Sequence, residues 1–252
     1  MTAARAGCFS LLLMITGLQP ALAGVFSVTP VRIYMTPRDR AVAVTITNEG
    51  EDPIVLQADT YVWTQKADGS DELTPTEDLI LAPPILKLGS KARQVVRLAR
   101  LKPADATHQL TYRMILREIP EAAGSKNNVQ VAIALALSMP VFITPPLAKA
   151  EVACDAKTAP AGTDLDVGCA NTGSAYAQMR EILVKEKNGE RALGRFEGGV
   201  YVLPGARKIV PVKIERPGAA APLSGALQLT VTFDDGRVQT FDVTVGPPRP
   251  GQ

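Results

Sequence analysis

The segment Asn128 to Thr144, NVQVAIALALSMPVFIT, constrains the fold more than any other stretch of the chain. From Val129 the large aliphatics fall on alternate positions: Val129, Val131, Ile133, Leu135 and Leu137. Between them stand Gln130, Ala132, Ala134, Ala136 and Ser138. A strict period of two puts the large set on one face of an extended strand and the small set on the other. The row predicts a long strand running up to Pro140, which removes a ladder donor. Such a row can fill the core of its own sandwich. It can also be lent to another chain whose core lacks a strand.

The N-terminus reads as an export signal over residues 1–23. Arg5 supplies positive charge, Ser10 to Gly17 is a short apolar core, and Ala21-Leu22-Ala23 has the small-x-small form of a cleavage site. The apolar run is too short to span a membrane, and no later stretch reaches spanning length without breakers, so the protein is not expected to be membrane-embedded. Acidic and basic residues are interleaved to a net charge of +2. Without a clustered basic field, nucleic acid is not an expected partner.

Cys8 leaves with the signal, and Cys154 and Cys169 remain as an even pair. Both lie in strand-like segments, VACDA and LDVGCAN, on either side of the turn Pro160-Ala161-Gly162. A hairpin would bring them together as a disulfide, and the alternative is two buried thiols. Export to an oxidising compartment favours the disulfide.

Short strand-like runs separated by turn residues fill the rest. VFSVTPVRIYMT, AVAVTITN, IVLQADTYVW, the Pro83-Pro84 segment, RQVVRLARL, QLTYRMILREI and the alternating row give about seven strands in the first half. Thr64 to Glu77 reads as a polar loop, and Trp63 as a core tryptophan. After Thr144-Pro145-Pro146-Leu147, a rigid linker, a second strand set follows, with Asn188-Gly189 and Asp235-Gly236 as hairpin turns. Gly198-Gly199 reads as a turn or bulge, and Asp234-Asp235 as a turn. The expected fold is all-β: two immunoglobulin-like β-sandwich domains, 24–145 and 146–246, joined by a short Pro-rich hinge, with a disordered tail at 247–252.

No catalytic constellation is evident. His108 is the one histidine and lies in a polar loop, so no zinc or copper site can be assembled from it. Nucleophile-elbow, phosphate-loop and dinucleotide motifs are missing. No enzyme activity, metal or cofactor is expected. What stands out is charge inside apolar strands: Arg32 in TPVRIYM and Arg113 in LTYRMIL. Each either faces solvent or presents a donor fork to a carboxylate across a cleft. Arg117 and Glu118 are expected to form a structural ion pair.

TPVRIYM, TITNEG with Asn48, LAPPILKLGSKARQVVRL, YRMILREIP, VQVAIALALSMPVF and CANTGSAYAQ occur in an order that resembles the periplasmic chaperones of the chaperone–usher pathway. The resemblance covers nearly all of the chain beyond residue 23, more loosely in its second half. It implies a boomerang of two domains with a cleft between them, and fimbrial subunits and an outer-membrane usher as partners. Val129, Val131, Ile133, Leu135 and Leu137 would be donor residues inserted into an incomplete subunit. Arg113 and Arg32 would hold the subunit's C-terminal carboxylate. The family's well-studied members place a lysine on the seventh strand, where this chain has Ser138 to Pro140. YRMILREIP and SMPVF instead resemble the archaic branch, which ranks Arg113 above Arg32. A donor row exposed in the free protein invites self-capping association. A structural fimbrial subunit or adhesin is the alternative, but the detachable N-terminal donor segment of such proteins is lacking.

Overall fold

The computed structural model describes residues 26–120, 134–160, 164–215 and 223–246. The signal segment, the tail and the donor-row residues Val129, Val131 and Ile133 lie outside the described residues.

Prolines divide the first half into more strands than the alternation predicts. Strand β1 (Phe26–Thr29) pairs with β3 (Ala41–Asn48), whereas β2 (Ile33–Met35) belongs to the opposite sheet. The chain changes sheet at Pro30, which has no N–H to continue the first ladder. The same change occurs at Pro83-Pro84, between β6 (Leu79–Ala82) and β7 (Ile85–Leu88). With β4 (Ile54–Gln65), β5 (Asp71–Pro75), β8 (Arg93–Arg100), β9 (Leu110–Glu118) and β10 (Ala136–Ile143), two sheets form, ordered β1-β3-β8-β6 and β2-β10-β9-β4-β5, with β7 also on β4. Val44, Ile46, Val96 and Leu98 from one sheet meet Leu56, Met114, Leu116 and Val141 from the other in a closed core.

Two expectations change here. Thr64 to Glu77 is not simply a loop: its second half is β5, paired with the end of β4. Every residue of β5 is exposed, so the strand carries no apolar alternation to read. Pro140 does not end β10, which runs through it to Ile143. Among the described residues only β9 flanks the strand up to Pro140, and β2 joins from Val141, so the missing donor falls where one flank has no described ladder.

The second half forms β11 (Val152–Thr158), β12 (Leu165–Asn171), β13 (Ala177–Glu186), β14 (Ala192–Val202), β15 (Arg207–Val212), β16 (Gly225–Phe233) and β17 (Val238–Val245). These make two further sheets, β11-β12-β15 and β14-β13-β16-β17, so the fold is all-β with two immunoglobulin-like sandwiches. Asn188-Gly189 joins β13 to β14, and Gly236, at φ +84°, joins β16 to β17. Cys154 and Cys169 face each other across β11 and β12 and are disulfide-bonded. Gly198-Gly199 is a bulge rather than a turn: the β13–β14 register slips between Met179 and Glu181, opposite this pair.

Each sandwich uses the same buried device. The Asn48 side-chain amide donates to the Asp52 and Gly89 carbonyls, both at 2.8 Å, and its Oδ1 accepts from Gly50 N–H. Asn171 donates to the carbonyls of Ala175 at 2.8 Å and Val202 at 3.0 Å, and accepts from Gly173 N–H. Fully satisfied, each buried amide fixes a turn at no desolvation penalty. Gly173 is irreplaceable at its turn, since a Cβ would lie 2.3 Å from the Lys149 carbonyl oxygen of the interdomain linker.

Candidate functional site

The outer face of the second sheet, away from its core, carries the polar and aromatic side chains that meet the second domain. Alternation puts Tyr61 and Trp63 of β4, Thr111, Arg113, Ile115 and Arg117 of β9, and Phe142 of β10 on that face. Trp63 is fully buried, but not in the core of its own sandwich. It joins the hydrophobic cluster of the second domain, with its ring 5.2 Å from Tyr201 and 6.2 Å from Phe142. Phe142 stacks on Tyr176 at 4.0 Å. An aromatic wall thus joins the domains, which is why a lone tryptophan at a strand end was legible as buried and not as interfacial.

Backbone contacts reinforce this junction. Gln109 N–H donates to the Ser174 carbonyl at 2.8 Å, while its Oε1 accepts from Tyr176 N–H at 2.9 Å. At the other flank Gln65 donates to the Tyr201 carbonyl at 3.0 Å and accepts from Leu203 N–H at 3.0 Å. Lys208 Nζ lies 3.0 Å from Asp71 Oδ1, bringing the β4–β5 hairpin onto β15. Burial works to raise the Asp71 pKa, but hydrogen bonds from Gln65 and Lys208 hold it below the ordinary carboxylate range.

The two cations singled out in the sequence both reach this junction, in opposite electrostatic circumstances. Arg113 Cζ stands 3.7 Å from the centroid of Trp63 and 5.6 Å from that of Tyr201. Among the described residues no carboxylate lies within ion-pair distance of it. Burial lowers its pKa, partly countered by the charge of Asp71, yet a guanidinium stays protonated at any physiological pH. Arg113 is therefore a partly desolvated cation with one face stacked on Trp63 and, among the described residues, no ion-pair partner. In register it sits directly across from Pro140, so the cation stands on β9 at the level of the Ser138–Pro140 stretch, where a lysine on the next strand had been implied.

Arg32, on the short connection before β2, is committed instead. It donates to Asp234 Oδ2 at 2.6 Å, Gln178 Oε1 at 2.7 Å and Tyr34 Oη at 3.1 Å. Burial opposes its charge, but the Tyr34 hydrogen bond and the surrounding phenols raise its pKa above the ordinary value. An open groove of about 760 Å³ adjoins this network, between Tyr34, Gln109, Lys149, Tyr176 and Arg237.

Arg117 does not pair with Glu118. Neighbours on a strand point to opposite faces, and Arg117 bonds Asp59 of β4 and the Tyr61 hydroxyl, the latter at 3.2 Å. Glu118 accepts weakly from Leu135 N–H at 3.4 Å. Asp234-Asp235 is only half a turn device: Asp235 accepts from the Arg237 backbone at 3.0 Å, while Asp234 is the partner of Arg32. Tyr176, Gln178 and Tyr201 carried no signal of their own beyond the YAQ spacing, which puts the first two on one face.

The aliphatic row changes character between Leu135, just before β10, and Ile143 at its end. Ile143, Val141 and Met139 are 1%, 0% and 1% exposed in the closed core, Leu137 is half-buried against it, and Leu135 is 38% exposed. The row therefore leaves its own sandwich as it is followed backwards, at the edge where, among the described residues, only β9 pairs with β10.

Residues 25–149 match the family model described as pili and flagellar-assembly chaperone, PapD N-terminal domain. The first domain belongs to this family of pilus-assembly chaperones. Solved structures agree in fold. The chaperone resembles the CsuC–CsuE chaperone–tip adhesion subunit complex of the archaic Csu pili of Acinetobacter baumannii at 17% identity and TM-score 0.61, covering 88% of this chain and 99% of that one. It resembles the Salmonella enterica SafA pilin–SafB chaperone complex at 16% identity and TM-score 0.56, covering 88% and 97%. The E. coli chaperone DraB aligns at 16% identity and TM-score 0.54, covering 89% and 98%. No curated protein sequence matches the chain.

Proposed function

We propose that this chaperone works in the periplasm, after export on residues 1–23, as a donor-strand chaperone of the archaic kind. It completes fimbrial subunits whose immunoglobulin-like fold lacks a strand and hands them to an outer-membrane usher. The row Val129, Val131, Ile133, Leu135 and Leu137 supplies the missing core side chains. Each aliphatic so buried contributes about 1.5–3 kcal/mol relative to exposure, and ladder bonds along the open edge set register. The subunit's C-terminal carboxylate is held by Arg113. The observation that carries this reading is the pairing of a stacked guanidinium, without an ion-pair partner among the described residues, with an aliphatic row that passes from sealed to exposed along the same sheet.

The test is co-expression with an immunoglobulin-like pilus subunit deleted for its own N-terminal donor segment. Arg113→Ala should weaken capture by about 30-fold or more, as expected when a desolvated charge pair loses one partner. Its far-UV circular dichroism should match the parent. Undiminished capture by a folded Arg113→Ala protein would remove Arg113 from the anchoring role.

A further inference from the structure

Of the tyrosines around the junction, Tyr34, Tyr61 and Tyr176 have engaged hydroxyls. Tyr61 Oη accepts from Arg117 at 3.2 Å. Tyr34 and Tyr176 meet Oη to Oη at 2.7 Å, Tyr34 accepts from Arg32 at 3.1 Å, and Tyr176 donates to Asp234 at 3.1 Å. Tyr201 differs: its hydroxyl has no hydrogen-bond partner among the described residues, and it is not sealed away either. The buried side-chain polar atoms left without a partner there are Trp63 Nε1 and Gln239 Oε1. Tyr201 is half-buried, so its hydroxyl end opens to solvent.

The strand register sets where that side chain points. Tyr201 of β14 lies directly across from Gln178 of β13, so the two share a face, and Gln178 reaches the first domain at Arg32. The Tyr201 ring is held by Trp63 at 5.2 Å, Tyr176 at 5.5 Å and Phe142 at 6.0 Å. Arg32 Cζ and Arg113 Cζ stand 5.5 Å and 5.6 Å from its centroid. A phenol of the second domain is thus fixed between one guanidinium spent on Asp234 and one stacked on Trp63.

A carboxylate accepts at about four lone-pair sites, more than the edge of one guanidinium fills. In a partly desolvated cleft the unfilled acceptors are costly. Trp63 Nε1 is closed off, and the Tyr34 and Tyr176 hydroxyls are already engaged with each other, Arg32 and Asp234. The Tyr201 hydroxyl is the neutral donor left. Burial pushes its pKa up against the pull of Arg32 and Arg113, so the phenol keeps its proton at physiological pH.

We propose that Tyr201 is a further binding residue for the subunit's terminal carboxylate: its hydroxyl donates to one carboxylate oxygen while Arg113 holds the group from the first domain. The proposal rests on the reading of Arg113 as anchor, and it makes the anchor a site shared by both domains.

The probe is a synthetic peptide of the last ten residues of a pilus subunit, prepared as free acid and as C-terminal amide. Each is titrated into the free chaperone and followed by the fluorescence of Trp63, the one tryptophan. The parent should bind the acid more tightly than the amide. Tyr201→Phe keeps the ring and removes the hydroxyl, and should weaken the acid by about 10-fold while leaving the amide unchanged. Unchanged affinity for the acid, or an equal loss for acid and amide, overturns the proposal. Loss of acid binding in Arg113→Ala but not in Tyr201→Phe leaves the Arg113 anchor standing and removes Tyr201 alone. A parent that does not distinguish acid from amide overturns both.

Discussion

The two sandwiches share a construction and differ in closure. Each pins a turn with a buried asparagine, Asn48 in one and Asn171 in the other, on an Asn-x-Gly spacing. In the second domain Val184, Leu229 and Val231 are all sealed, and a disulfide joins its first two strands. The first domain instead has an aliphatic row that begins exposed at Leu135, just before β10, and ends sealed at Ile143 within it. The comparison teaches that the first domain holds the strand whose aliphatics become exposed, while the second acts as a wall, supplying Tyr176, Gln178, Tyr201 and Asp234 to the cleft.

The largest effect should come from breaking the open end of that row. Ile133→Asp with Leu135→Asp should abolish capture of a donor-deleted subunit and leave the free chaperone's unfolding midpoint unchanged. A chaperone that unfolds instead has its own core there, and the contrast between the two ends of the row disappears. At the sealed end the outcome should reverse. Ile143→Ala should cost the first domain about 2–5 kcal/mol by denaturant unfolding, as cavities in closed cores do. If both ends respond alike, the row is of one kind throughout.

A smaller effect sharpens the difference between domains. Reducing the Cys154–Cys169 bridge, with its sequence separation of 15 residues, should lower the stability of the second domain by about 3 kcal/mol on the chain-entropy account. Calorimetry should show the shift in the second domain's transition alone. Equal shifts in both transitions would mean that the aromatic junction of Phe142 with Tyr176 and Trp63 with Tyr201 makes the domains unfold as one unit.

Much of the architecture was legible because its signals are local. The hairpin turns at Asn188-Gly189 and Asp235-Gly236, the paired cysteines and the alternation of the second domain's seven strands all came through. The first domain was harder. An apolar run such as VFSVTPVRIYM looks continuous, and only the ladder partners reveal that its halves serve different sheets. The exposed β5 had no pattern at all. Arg117 was assigned to its chain neighbour, although a strand directs adjacent side chains apart and Asp59, on a different strand, was the one within reach.

By itself the amino-acid order determined which segments extend, where they turn and which residues alternate, because φ/ψ preference and period-two patterning depend on a few neighbouring residues. Only the folded chain decided that Arg32 is spent on Asp234, 202 positions away, while Arg113 lies stacked against Trp63. Charge pairing and burial are set by which strands stand side by side in space, and no local pattern records that.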